Sequence, residues 1–381
     1  MRRLSAATLA ACLLLTPGAE AQQRSDGLRA LLNHVPATLF ETGEWADITY
    51  TDLGAARVGV ARDAETMMAA LFDDRYVGHY LRAMGLSPDM NNSIYLGLSG
   101  EWQPVVGFNP QDLVRSLSWV APPDQFSVLE LAPTVDFAAV EAALQANDYS
   151  GEDRGDWTVL WWGETDYMID LQARDQANPF GGNLGRSSRL ALQAPFVASA
   201  PAWPLIDAVT GGIDRPAAEL PALDALLAEV DDPRFGEARL VNLMVLPIQQ
   251  EASPDPSATP STPAQAISIP RWEMGLFADI STGTVDYALA AFAYDDAKDA
   301  GAAAETIETA WSDPQSPGFH EAHRDSGSGA IHVTDAGGGW RVVALVIERP
   351  MAGVADAPSN RPYRTLIDGL LRGDLPVFGL P

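Results

Sequence analysis

The sequence has a single cysteine, Cys12, and a single lysine, Lys298, in 381 residues. Once Cys12 leaves with a leader, the chain can form no disulfide, no thiolate metal site and no cysteine nucleophile. One lysine leaves almost no room for Schiff-base chemistry or a Walker-type phosphate lysine. Positive charge is scarce altogether, with 24 Lys and Arg against 51 Asp and Glu, a net charge of −27. A field of that sign repels nucleic-acid phosphates and anionic headgroups, so no nucleic-acid partner is expected. Beyond residue 21 no stretch is apolar for the ~18 residues that a membrane-spanning helix needs, so no transmembrane helix is expected once the leader is gone. There is no P-loop and no G-x-G-x-x-G after a strand, so no cofactor is evident.

What is present begins with an address. Arg2 and Arg3 precede an apolar run, Leu4 to Leu15, that is too short to cross a bilayer, and Ala19-Glu20-Ala21 is a small-x-small cleavage site. The pattern predicts a secretory signal peptide over 1–21, cleaved after Ala21, and a product in the periplasm or outside the cell. The leader holds Arg2, Arg3 and Glu20, so its loss takes the net charge from −27 to −28. Leu9-Ala10-Ala11-Cys12 offers an alternative, since a small residue before Cys is the form of a lipoprotein box and would anchor the chain through a lipid on Cys12.

Glu251 to Ala266, with prolines at 254, 256, 260 and 263 among Ser, Thr and Ala, reads as a linker or loop. It divides a larger region, 22–250, from a smaller one, 267–381. Apolar residues at helical spacing follow Asp63, Asp136 and Asp296, and Asn109-Pro110-Gln111-Asp112 has the form of a helix start. Runs such as Phe126 to Leu131, Trp157 to Trp162 and Leu240 to Ile248 read as strands. Leu205-Ile206-Asp207 and Leu366-Ile367-Asp368 each precede glycine, and each follows a strand pair and a helix opened by Asp136 or Asp296. This parallel suggests a degenerate duplication of a strand-helix-strand-strand-helix unit. Helices that follow groups of strands predict an α+β fold, with antiparallel or mixed sheets and helices packed on one face.

Few residues point to chemistry. In His320-Glu321-Ala322-His323-Arg324-Asp325 two imidazoles three residues apart share one side of a helical turn, which makes His320, His323 and Asp325 the candidate site for a divalent metal. The spacing is not HExxH, and the flanking Pro317-Gly318 and Ser326-Gly327-Ser328-Gly329 equally suit a plain surface turn. Among ten tryptophans, Trp157, Trp161 and Trp162 are the candidate ligand platform, with packed core as the alternative. His34, His79 and His332 have no partner legible in the sequence. Acids are too abundant for Asp166 and Asp170, or Glu152, Asp153 and Asp156, to mark a carboxylate pair. Gly97-Leu98-Ser99-Gly100 lacks the last glycine of a serine elbow. Catalytic residues stay unknown, and the first expectation is a non-catalytic exported protein that binds a ligand or protein partner. A secreted hydrolase working through carboxylates and a lipid-anchored envelope accessory protein are the alternatives.

Overall fold

The computed structural model describes residues 23–41, 46–56, 86–95, 101–247, 268–313, 319, 328–351, 360–372 and 375–378. Twelve strands form one sheet: β1 (Asp47–Asp52), β2 (Leu113–Ala121), β3 (Asp124–Leu131), β4 (Ser150–Arg154), β5 (Trp157–Trp162), β6 (Ser188–Gln193), β7 (Phe196–Ala200), β8 (Arg239–Leu246), β9 (Met274–Ser281), β10 (Val285–Tyr294), β11 (Ser328–Gly337) and β12 (Trp340–Pro350). Their order is β11-β12-β10-β9-β8-β1-β2-β3-β7-β6-β5-β4, and every pairing is antiparallel. The described helices are α1 (Asp26–Leu32), α2 (Leu53–Ala56), α3 (Pro88–Tyr95), α4 (Trp102–Val106), α5 (Phe137–Ala146), α6 (Trp203–Thr210), α7 (Pro221–Val230), α8 (Ala297–Ser312) and α9 (Arg361–Arg372). Among the described residues no helix is long and apolar enough to cross a membrane.

One wide sheet forms because many strands are apolar on both sides. Successive side chains of a strand point to opposite faces, and in β8, β9, β10 and β12 both sets are buried. Such strands need cover twice. Laterally paired Val128, Leu117, Tyr50, Leu243 and Ala278 belong to one apolar cluster, on what we term face 1, and α1, α6 and α7 cover it. Face 2 carries two separate clusters. α8 and α9 pack over β9, β10 and β12, whereas α3, α4 and α5 pack over β2, β3 and β5 to β7.

Helices on both faces of a single antiparallel sheet overturn the expected α+β arrangement of antiparallel or mixed sheets with helices on one face. The duplicated unit falls with it. α5 and α8, its supposed equivalents, both cover face 2, but Ile206 of α6 packs on face 1 while Leu366 and Ile367 of α9 pack on face 2. β8 and β9, on either side of 251–266, are adjacent strands with Leu246 opposite Gly275; residues 251–266 themselves lie outside the described set.

Among the described residues local signals are mostly obeyed; the stretch expected to be helical after Asp63 lies outside them. Asp136 caps α5 by accepting from Ala138 N, and Asp296 caps α8 by accepting from Lys298 N and Asp299 N. The exception is Asn109 to Asp112. The capping contact forms, with Asn109 N donating to Asp112 Oδ2 at 2.8 Å, yet the chain makes one 3-10 turn and enters β2. Pairing to β1 on one side and β3 on the other decides against a helix there.

Candidate functional site

β5 separates the three tryptophans. Trp157 and Trp161 face the same side as Val159 on face 1, and Trp162 faces the other. Trp157 is buried with its ring 5.6 Å from that of His34, and the Phe196 ring lies 4.3 Å from His34. Burial lowers the pKa of His34. Trp161 meets Trp203 at 5.6 Å, and the guanidinium groups of Arg154 and Arg189 both stand over the Trp203 ring, at 4.7 and 5.1 Å. Arg189 is fully buried, donates to the carbonyl oxygens of Trp162 and Ser188, and lies 3.4 Å from Asp166. Asp166 also accepts from Trp203 N. Arg154, Trp203, Arg189 and Asp166 thus clasp the first turn of α6 to the sheet.

The metal candidates His320 and His323 with Asp325, and likewise His79, Ser99 and Cys12, lie outside the described residues. His332 sits on β11, where burial and Arg234 lower its pKa. Asp170 accepts from Gln172 N within a turn, and Glu152 pairs with Arg154. Among the described residues no three His, Cys, Asp or Glu side chains converge on a metal position.

The middle of face 2, between its two apolar clusters, is polar. Asp279, Asn242, Thr51 and Ser116 stand opposite one another across four strands, and Thr49, Ser118, Ser127 and Ser199 form the next row. Thr51 Oγ1 donates to Asn242 Oδ1 at 2.6 Å, and Asn242 and Asn360 each donate to Asp279, at 3.0 and 2.9 Å. Where the second row meets α3, a cleft of about 20 Å³ is floored by Ser118, Ser127 and Ser199. Such a volume holds a water molecule. Ser127 and Ser199 share a hydrogen bond of 2.7 Å, and Ser118 Oγ is buried with no hydrogen-bond partner among the described residues. Asp89 of α3 lines the cleft and accepts from Gln125 Nε2 at 3.3 Å; burial pushes its carboxyl up, against the opposing pull of Arg186 and Gln125. In sequence these residues alternate with Ile48, Tyr50, Leu117 and Trp119, which reads as an ordinary solvent-facing side, so nothing there marks a buried polar row.

A larger cavity, of about 580 Å³, opens on face 1 where α1 meets β1, β2 and β8. Gly27 lies against the Arg115 guanidinium, so a Cβ there would overlap it. Arg115 is held by Glu130 at 2.7 Å and Asp52 at 3.4 Å. Arg24 donates to the carbonyl oxygens of Ala238, Asp232, Val230 and Gly236. Of the charged groups at this cavity, Arg24 and Asp231 join the start of α1 to the turn after α7, and Arg115 and Asp52 pair across the sheet.

The connection between β5 and β6, residues 163–187, is long, largely exposed over 164–176 and largely buried over 177–187. It closes on itself through Asp170 N to Gly185 O at 2.8 Å, Ser187 N to Met168 O at 2.9 Å, Asp175 N to Gly182 O at 3.0 Å and an isolated bridge between Ile169 and Arg186. Gly185 adopts φ +57°, and a Cβ there would overlap the Asp170 carbonyl oxygen. Tyr167 is left-handed at φ +56°, a strained conformation for a bulky residue, and its hydroxyl donates to Asp124. The pKa of the Tyr167 phenol is pushed up to about 12 by burial and then by Asp124. On this frame Tyr167, Ile169 and Leu171 stand in water, 41, 54 and 58% exposed. They are three of the five large apolar side chains exposed among the described residues.

No family model matches the chain, and no curated protein matches it. Among solved structures, crystal form I of TP0453 is similar over 87% of this chain and 96% of its own, with 9% sequence identity and a TM-score of 0.35.

Proposed function

We propose that this chain is an exported, non-catalytic protein that binds a ligand or protein partner in the bacterial envelope or outside the cell. Export rests on the basic, apolar and small-x-small order of residues 2 to 21. Binding is carried by one observation: an ordered loop holds Tyr167, Ile169 and Leu171 in water. Long loops that are rigid and expose apolar groups are characteristic of recognition surfaces. The test is size-exclusion chromatography of envelope extracts from producing cells. The mature chain, starting at Gln22 by mass, is expected to elute in a complex, and Ile169→Ser/Leu171→Ser as a monomer. Identical elution of the two would contradict binding through this loop. A mature mass beginning at a lipidated Cys12 would replace the free exported form by the anchored one.

A second reading, a secreted hydrolase using carboxylates, is favoured by Asp89, whose raised carboxyl stands beside a row of serines. Turnover of a model ester or glycoside by the purified chain, lost in Asp89→Asn, would establish it.

A further inference from the structure

We infer that β11 is an open edge of the sheet, on which a second copy of this chain adds its own β11, antiparallel and centred on His332. This surface is separate from the 163–187 loop, and the inference does not depend on what that loop binds. The two ends of the sheet differ. β4 is five residues long and carries Glu152, Asp153 and Arg154 in succession, the short and charged form in which an edge resists further pairing. β11 is ten residues long, with no proline or lysine and no bulge before Asp335. Its one carboxylate, Asp335, is paired with Arg341 at 2.8 Å. β12 takes one side of the strand, and no described residue outside β11 and β12 hydrogen-bonds to its backbone. Alternate residues therefore turn an N–H and a C=O outward, in the pattern that another strand satisfies.

The strand is its own complement. Thr334 Oγ1 donates to Glu229 of α7, which puts Ala330, His332 and Thr334 on face 1. Ile331 packs against the α8 cluster on face 2, beside Val333, which stays 50% exposed. A two-fold axis through His332 keeps both faces continuous across the pair and matches residues 328 to 336 with their counterparts. Ile331 then stands opposite Val333 of the second copy, Ala330 opposite Thr334 and Gly329 opposite Asp335, so no carboxylate faces another. An axis through Val333 would set Ile331 against Asp335 and draw in the irregularity at 335–337, and one through Ile331 would shorten the overlap. The pairing consumes the open edge of each copy, so association stops at two. The net charge of −28 on each copy opposes it, a repulsion largely screened by the ~8 Å Debye length of physiological salt. One strand pair is a small interface, with a dissociation constant of roughly 10 µM, so at the dilution of an envelope extract the copies stay apart.

The test is sedimentation equilibrium of the purified mature chain over about 5 to 500 µM. The parent should pass from one copy to two, more completely as salt rises. Val333→Lys changes an exposed site, should keep its melting temperature and lowers the repulsion between copies. It should nevertheless stay single throughout, because it sets an ammonium against Ile331 of the second copy. Register is read by cross-linking, since the chain from Gln22 onward has no cysteine. Directly opposed residues have Cα atoms about 4.5–5.5 Å apart, within disulfide reach, whereas position 328 lies about 26 Å from its counterpart. Oxidation with copper-phenanthroline should link His332→Cys into a dimer at least about tenfold faster than Ser328→Cys. A parent that stays single at every concentration, a Val333→Lys variant that pairs as the parent does, or equal linking from the two positions overturns the inference. So does association that weakens as salt rises, which would mark opposite charges meeting rather than two like-charged chains sharing a sheet.

Discussion

Asp279 is a fully buried carboxylate in the middle of the sheet that accepts hydrogen bonds from two amide side chains on different elements. Removing it takes a buried acceptor from both the Asn242 and Asn360 amides, so Asp279→Ala should cost about 3 kcal/mol in urea denaturation. Asp89 behaves oppositely. Burial raises its pKa in the folded state, so the fold binds that proton more tightly than the unfolded chain does. Stability then falls as pH climbs from the ordinary carboxylate range through the raised value and does not return above it. Asp89→Asn should be more stable than the parent at neutral pH and no more stable below about pH 4, followed by urea midpoints across that window. An equal gain at both ends would show that charge is not the cause. Single residues of this kind are the least legible in sequence. Asp279 and Asp89 look like any of the 51 acids until register places one beneath Asn360 and the other over a serine row.

Short-range elements were the most legible. Asp136 and Asp296 announce α5 and α8 because an N-cap acts within three residues of itself. Asp296→Ala should lower stability by about 1 kcal/mol, read from the same unfolding curves. Asn109 to Asp112 carries the same local grammar and yet opens β2, since strand pairing on both sides outweighs one cap. Tyr167 to Leu171 reads as a strand-like stretch in sequence, but in the 163–187 loop it is reduced to an isolated bridge at Ile169. The apolar alternation there resembles a half-buried strand, but Tyr167 and Leu171 lie in turns on either side of Ile169, and all three side chains stand in water. Gly185→Ala places a Cβ against the Asp170 carbonyl oxygen at a left-handed position and should cost about 1–3 kcal/mol. Limited proteolysis should then cut within 163–187 faster than in the parent; an unchanged pattern would mean the loop is not held as described.

At the scale of the molecule, the lesson lies in β8 and β9. Their apolar runs are visible in sequence, but their pairing across a proline-rich stretch is not, and it joins what reads as two regions into one sheet. Because Leu246 already lies opposite Gly275, deleting 251–266 should leave one cooperative thermal transition, with the midpoint moved by no more than about 2 °C. Strands buried on both parities explain why helices occupy both faces, and the buried polar rows of face 2 separate its apolar core into two clusters. The functional claim concerns the 163–187 loop, which holds three of the five large apolar side chains exposed among the described residues. The most direct measurement is photo-cross-linking in producing cells, with a benzophenone side chain at position 169 and, in a parallel strain, at 371, where Leu371 is exposed but isolated from the loop. The account predicts a discrete adduct from position 169 and none from 371. No adduct from 169, or the same adducts from both, would contradict it.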